Sequence, residues 1–304
     1  MKSKKWLRWI MVDILPNYDL PHIHSLMLGD THRLQTYQNA IREFVSPGDV
    51  VIDYGTGTGI LAMMAARAGA RKVYAIDNGN NTPTTRKIIE RNGLEEKIEI
   101  VNGDGFRLTL PERADIIVSE WMGVFVFQEN MLPGLIKLRN NFLKETGKII
   151  PSQISLYGAP SSQQPHLPNF SNIAGFDLSP YMDNVSSQPF LAEARPEYYL
   201  AKPTKFHELD ILSQCEVPKF LKAHYAIAKD GIFSSFIGWF SANFYDFAML
   251  DTSPATKTLW QQAQFILKTP IEVKNGQSLD VTIKLTQSRY DFRRLDFKVI
   301  ANTS

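Results

Sequence analysis

Cysteine is all but missing from this chain of 304 residues: Cys215 stands alone. No internal disulfide can form, and a lone thiol suits a reducing, cytoplasmic setting. Metal-ligand clusters are missing too, because His22 and His24 have no third His or Cys at ligand spacing, so no metal is expected. Net charge is close to nil, with 33 Lys and Arg against 31 Asp and Glu. A general electrostatic hold on nucleic acid or an anionic membrane is thereby excluded. The apolar stretch from Trp6 to Leu15 is interrupted by Arg8 and Asp13. It is too short to span a membrane and no small-residue cleavage site follows it. An amphipathic helix is expected there, either packed on the body of the protein or serving as a surface or partner helix.

What the chain does contain is an alternation of strand and helix patterns. Asp49-Val50-Val51-Ile52-Asp53 is an apolar run ending in an acid, followed by Gly55-Thr56-Gly57-Thr58-Gly59 and a helical stretch from Ile60 to Ala68. Strands over Lys72 to Asp77, Ile98 to Asp104, Ala114 to Glu120 and Lys148 to Ile150 follow, with helices near Thr82 to Asn92 and Asn130 to Leu143. Such alternation predicts a Rossmann-like doubly wound α/β sheet whose ligand crevice lies at the carboxyl ends of the strands. Asp53, Asp77, Asp104 and Glu120 all fall at those ends.

From Pro151 the period changes to two: Leu279, Val281, Ile283 and Leu285 interleave with Asp280, Thr282 and Lys284. An antiparallel β-barrel or sandwich is expected, with hairpins at Asp230-Gly231 and Asn275-Gly276. The segmentation reads as a helical segment over 1–37, a cofactor domain over 38–150 and a β-barrel substrate domain over 151–304. Within the last, about 160–190 is an ordered excursion carrying Phe170, Ile173, Phe176, Leu178 and Tyr181.

The glycine turn is not a phosphate cradle. Ile60 stands where a dinucleotide fingerprint places its last glycine, and no Gly-Lys-Ser/Thr follows. Asp53, two residues before Gly55, opposes a pyrophosphate and attracts an ammonium group. Asp77 suits a ribose diol and Asp104 an adenine amino group. A cofactor with an amino acid tail and no phosphate fits this set, which points to S-adenosyl-L-methionine on Gly55 and Gly57.

The most informative stretch is Ser119-Glu120-Trp121-Met122-Gly123-Val124-Phe125-Val126-Phe127-Gln128-Glu129. It sets two carboxylates nine residues apart around an otherwise uncharged loop that follows a buried strand. Two convergent carboxylates suit a planar, multiply donating cation, the arginine guanidinium. They also repel phosphate, so nucleic acid is not the expected substrate.

With this loop, the glycine turn and the β half in place, the chain resembles the protein arginine methyltransferases from about His24 to Phe297. The resemblance implies that Glu120 and Glu129 clamp the target guanidinium and that Arg33 pairs with the cofactor carboxylate. It further implies that His24 and Met27 line the cofactor and the reacting nitrogen. Tyr18 and Trp260 keep positions on the substrate side. Ile173-Ala174-Gly175-Phe176-Asp177-Leu178-Ser179 resembles the helical arm through which members form head-to-tail homodimers. Met27 and Met131 resemble the pair of mono- and asymmetric dimethylating members. The family's Thr-His-Trp appears as Thr258-Leu259-Trp260, leaving Asp30 without its histidine. Its Tyr-Phe-x-x-Tyr appears as Ile14-Leu15-Pro16-Asn17-Tyr18, and Phe106 stands near a usual cofactor-contacting acid. The expected activity is methyl transfer to arginine in a protein or peptide. Two rivals are methylation of free arginine or a small guanidino metabolite, and a dimeric binding scaffold that has lost activity.

Overall fold

The computed structural model describes residues 21–79, 82–165, 167–289, 291 and 294–303. The amphipathic helix expected near the N-terminus and Tyr18 lie outside the described residues.

The first half contains α1 (Pro21–Gly29), α2 (Thr31–Phe44), β1 (Val50–Tyr54), α3 (Ile60–Ala68) and β2 (Lys72–Asp77). It continues through α4 (Thr82–Arg91), β3 (Ile98–Asn102), β4 (Ala114–Ser119), α5 (Leu132–Phe142) and β5 (Leu143–Ile150). The five strands are parallel in the order β3-β2-β1-β4-β5. Every residue of β1 is buried, as a central parallel strand covered on both faces requires, which explains its unbroken apolar run. The strand order reverses between β1 and β4, so a crevice opens where both strands end.

Helix α2 starts six residues earlier than the apolar pattern from Tyr37 suggests. Asp30 is the reason: its Oδ1 accepts the Arg33 N–H at 3.0 Å and caps the first turn. The buried face of α2 carries Arg33, Thr36, Tyr37, Ala40 and Ile41, a helical stripe. Tyr37 donates its hydroxyl to the Ser119 carbonyl at 3.1 Å and meets Phe244 edge-on with ring centroids 5.1 Å apart. The helix is thereby wedged between the parallel sheet and the β half.

The second half holds β6 (Gln153–Ser161), the four-residue α6 (Met182–Val185), β7 (Phe190–Ala192), β8 (Thr204–Asp210) and β9 (Phe220–Ala226). After these come β10 (Gly231–Phe244), β11 (Ala248–Asp251), β12 (Gln262–Val273), β13 (Ser278–Gln287) and β14 (Leu295–Thr303). One antiparallel sheet runs β7-β12-β10-β6-β8 with β11 on β10, and the other runs β14-β13-β9. Strand β8 packs near β9 and β12 near β14, which completes the barrel. The alternation in β13 is as expected, with Leu279, Val281, Ile283 and Leu285 buried.

Two expected hairpins are not hairpins. Strands β9 and β12, which precede Asp230-Gly231 and Asn275-Gly276, do not pair with the strands that follow them; at both turns the chain crosses from one sheet to the other. The two crossings brace each other, with Asn275 N–H donating to Asp230 Oδ1 at 2.8 Å and Gly276 N–H to the Ile227 carbonyl at 2.9 Å. A turn dipeptide fixes a reversal of the chain but not the partner of the next strand. A true hairpin joins β10 to β11 through the three residues Tyr245, Asp246 and Phe247, the first two at φ 55° and 57°. The left-handed pair fits a type I′ turn, but without the usual Asn-Gly signature.

The excursion over 160–190 is also less helical than expected. Its helical parts are a 3-10 turn at Ser179–Tyr181 and α6. A Ser-, Pro- and Asn-rich run has no 3.6-residue stripe from which to build more. Phe176, Leu178 and Tyr181 are exposed rather than buried, Phe176 at 71%.

Candidate functional site

A cavity of about 390 Å³ opens at the carboxyl ends of β1, β2 and β4. Its floor is the turn between β1 and α3, where Gly55, Gly57 and Gly59 take φ values of 78°, 52° and 80°. A Cβ on Gly55 would lie 2.8 Å from Met131 Cε, and one on Gly57 would lie 3.0 Å from His24 Cε1. Side chains are therefore excluded from this surface by both backbone conformation and space.

Asp77 fixes the turn from the end of β2, its Oδ2 accepting from Gly57 N–H and its Oδ1 from Gly79 N–H, each at 2.7 Å. Asp104 Oδ1 accepts the Phe106 N–H at 3.0 Å, and both residues line the cavity. Asp53 is placed differently from the outward-facing acid expected for an ammonium group. It is fully buried behind the turn and does not line the cavity. Its Oδ2 accepts from the Thr56 hydroxyl at 2.6 Å and from Ala62 N–H at 2.9 Å, while Oδ1 is buried without a partner. Burial pushes this carboxyl up to about 7, against those two hydrogen bonds.

The two loop glutamates line the same cavity. The loop is anchored by its apolar residues: Trp121, Met122 and Val124 to Phe127 are all buried. Phe125 reaches into the barrel, 4.9 Å from Phe265 between ring centroids, over Gly238, where a Cβ would lie 2.7 Å from Phe125 Cε2. At the other wall, Gly123 has φ 42°, and a Cβ there would lie 2.6 Å from Glu129 Oε1. Glycine is what lets Glu129 close against its own loop.

Arg33 joins the helical wall to the loop. Its Nη1 donates to Glu120 Oε2 at 2.6 Å, its Nη2 donates to the Met27 carbonyl at 2.9 Å, and its Cζ lies 5.8 Å from the Trp260 ring centre. Its Nε is buried with no partner. Asp30, whose histidine partner is replaced, accepts instead from the backbone N–H of Leu259 at 2.9 Å.

His24, Met27, Arg33, Gly55, Gly57, Asp77, Asp104, Glu120, Glu129 and Trp260 are thus brought together. Sequence reasoning missed the ring of Phe106 as a wall, and also Gln128, Asp291 and Arg294, which line the cavity on the barrel side. Phe106 carried a signal as an aromatic residue close to a strand-end acid. The hairpin that brings in Asp291 and Arg294 carried none.

The lining fits a phosphate-free, positively charged cofactor. Asp77, Asp104, Glu120, Glu129 and Asp291 line the cavity, no lysine among the described residues does, and Arg33 and Arg294 supply positive charge suited to a carboxylate tail. A sulfonium and a guanidinium gain from the acids, whereas a pyrophosphate is repelled.

Two family models divide the chain between them. An arginine methyltransferase oligomerization subdomain matches residues 155–302, and a ribosomal protein L11 methyltransferase matches residues 33–156. Protein arginine N-methyltransferase 6 of Danio rerio is 32% identical over 91% of this chain and 85% of its own length. Protein arginine N-methyltransferase PRMT10 of Arabidopsis thaliana is 30% identical over 90% of this chain and 82% of its own. This chain belongs to the protein arginine N-methyltransferase family. It is an S-adenosylmethionine-dependent methyltransferase acting on the arginine guanidino group. Among solved structures, a Trypanosoma brucei PRMT1 enzyme-prozyme heterotetrameric complex with AdoHcy superposes at TM-score 0.83, with 26% identity, over 94% of this chain and 95% of that one. An open conformation of the Arabidopsis thaliana PRMT10 gives 0.79, with 26% identity, over 94% of each chain. Among the described residues no cluster of His, Cys, Asp or Glu forms a metal site, and no helix is long and apolar enough to cross a membrane.

Proposed function

We propose that methyl transfer takes place between the glycine turn and the loop from Glu120 to Glu129, on an arginine side chain of a protein or peptide. The observation that carries this reading is that both loop glutamates share one cavity with Gly55, Gly57, Asp77 and Asp104. A guanidinium is a poor nucleophile because its lone pair is delocalised over three nitrogens. Glu120 and Glu129 hold the positive charge on one side and turn the remaining nitrogen towards the cofactor side. S-adenosylmethionine, when bound, supplies an electrophilic sulfonium methyl. Arg33 holds its carboxylate, Asp77 its ribose and Asp104 its adenine edge, while His24 and Met27 close the cavity. Glu129 takes the proton released from the methylated nitrogen. Rate enhancement comes from orientation and fixed charge.

Residues 38–150 form the cofactor domain and 151–304 the substrate domain in this reading. The exposed Phe176, Leu178 and Tyr181 of the excursion meet a second copy, giving a homodimer. The single thiol suits a cytoplasmic enzyme. The test is methylation of an arginine-containing peptide by the wild type and by Glu120→Gln and Glu129→Gln, with free arginine as a parallel substrate. Both variants are expected to lose activity on the peptide, Glu129→Gln with cofactor binding retained. Undiminished turnover in either would overturn the assignment, and preferential turnover of free arginine would transfer it to a small molecule.

A further inference from the structure

The loop that carries Glu129 is strained. Gly123, Val126 and Asn130 all have left-handed backbones, at φ 42°, 50° and 49°. For β-branched Val126 that conformation persists only when its surroundings enforce it. Part of the enforcement comes from the excursion. Its last residues run past the loop, and Gln188 Nε2 donates to both the Leu295 carbonyl at 3.0 Å and Asp296 Oδ1 at 2.8 Å. Two acceptors on one nitrogen fix the orientation of that amide, so Gln188 Oε1 points to Gln128 and accepts from its Nε2 at 3.2 Å. The orientation of Gln128 follows in turn, and its Oε1 faces the Val124 N–H at 3.4 Å. Donors and acceptors thus run in one direction, from β14 through Gln188 and Gln128 across the mouth of the loop.

We propose that Gln188 is a positioning residue for methyl transfer, acting through Gln128 to hold the loop so that Glu129, the next residue, meets the substrate guanidinium. The inference rests on the reading of Glu129 as a substrate-binding group. It also gives the excursion a second role: whatever binds its exposed Phe176, Leu178 and Tyr181 bears on a segment whose base is joined to the active loop. The side-chain relay is separable from the fold. Leu295 N–H still donates to the Gln128 carbonyl at 3.2 Å and Phe297 N–H to the Ser187 carbonyl at 2.8 Å when both amides are gone.

The experiment compares Gln188→Ala, Gln128→Ala, the double variant and Glu129→Gln in the full chain. Peptide kcat and KM, the S-adenosylmethionine Kd and the oligomeric state are measured for each. Gln188→Ala is expected to lower kcat/KM roughly three- to tenfold, the scale of one lost hydrogen bond, with cofactor Kd and assembly unchanged. The double variant should be no slower than the worse single one, because both remove the same relay. Gln188→Glu, which loses the donor to both Leu295 and Asp296 and sets a carboxylate against that of Asp296, should be at least as slow as Gln188→Ala. If Gln188→Ala matches wild type while Glu129→Gln is inactive, the relay is refuted and the loop assignment survives. Full activity in Glu129→Gln removes the basis of both. Independent, multiplying losses in the double variant, or a loss confined to cofactor affinity or assembly, also overturn the relay.

Discussion

Arg33 and Glu120 form an ion pair at 2.6 Å in which the two side chains are only 8% and 16% exposed. The contact joins the residue assigned to the cofactor with one assigned to the substrate, so neither can be altered without the other losing its charge partner. Lysine at position 33 lacks the planar fork that reaches Glu120 and the Met27 carbonyl from two separate nitrogens. Arg33→Lys is expected to weaken S-adenosylmethionine binding by about tenfold or more and also to raise the peptide KM, since Glu120 loses its fixed orientation. Calorimetry with the cofactor and steady-state kinetics check the two effects separately. A KM change without a Kd change would confine Arg33 to holding Glu120.

The second prediction concerns the replaced histidine. Asp30 uses one carboxylate oxygen to cap α2 and the other to accept the Leu259 N–H. The link between the Arg33 helix and the barrel loop thus survives through a backbone donor that any residue but proline supplies at 259. Leu259→His is expected to leave kcat/KM within about twofold, because that oxygen is already engaged. Asp30→Ala removes cap and link together and should cost about 1–2 kcal/mol of stability. Urea unfolding of both variants measures this, and a large gain of activity in Leu259→His would show that the backbone bond is a poor substitute.

Much of this was legible beforehand because local chemistry determined it. The parallel sheet followed from apolar runs that end in acids and alternate with helical stretches. The loop glutamates stood out because charge is otherwise absent between them. Less visible were features set by distant chain. Whether Asp230-Gly231 begins a hairpin depends on which sheet takes β10, and nothing in the dipeptide encodes that. The inward turn of Asp53 depends on Thr56 and Ala62 reaching it first, and the Leu259 amide shows nothing of its partner in the sequence. Tertiary pairing decided each case.

Gly123 supplies a third prediction. Its left-handed φ of 42° is costly for any other residue, and the missing Cβ is the space that Glu129 Oε1 fills. Gly123→Ala is expected to lower kcat/KM for peptide by at least about tenfold by displacing that carboxylate, and to cost about 1–2 kcal/mol in stability from the backbone alone. The S-adenosylmethionine Kd should change less than about twofold, because the glycine turn is untouched. Equal losses in cofactor and peptide binding would mean that the whole cavity, not Glu129, had moved.

Asp53 makes a prediction about pH. In the unfolded chain its carboxyl titrates near 3.8, whereas burial raises it in the fold to about 7. Between those values the folded state binds more protons than the unfolded one, so this group lowers stability as pH rises from about 4 to 7, and its full cost is present above 7. The difference corresponds to a few kcal/mol, on the order of 4 at most. Asparagine fills the same space, can accept from Thr56 and Ala62 through its oxygen, and carries no charge at any pH. Urea midpoints for wild type and Asp53→Asn from pH 4 to 8 isolate the group from the other carboxylates, which titrate alike in both proteins. The variant should gain on the wild type progressively up to about pH 7 and hold a constant lead beyond it. A difference that does not vary with pH would mean that Asp53 ionises in the fold as it does in water, and that the partnerless Oδ1 is solvated.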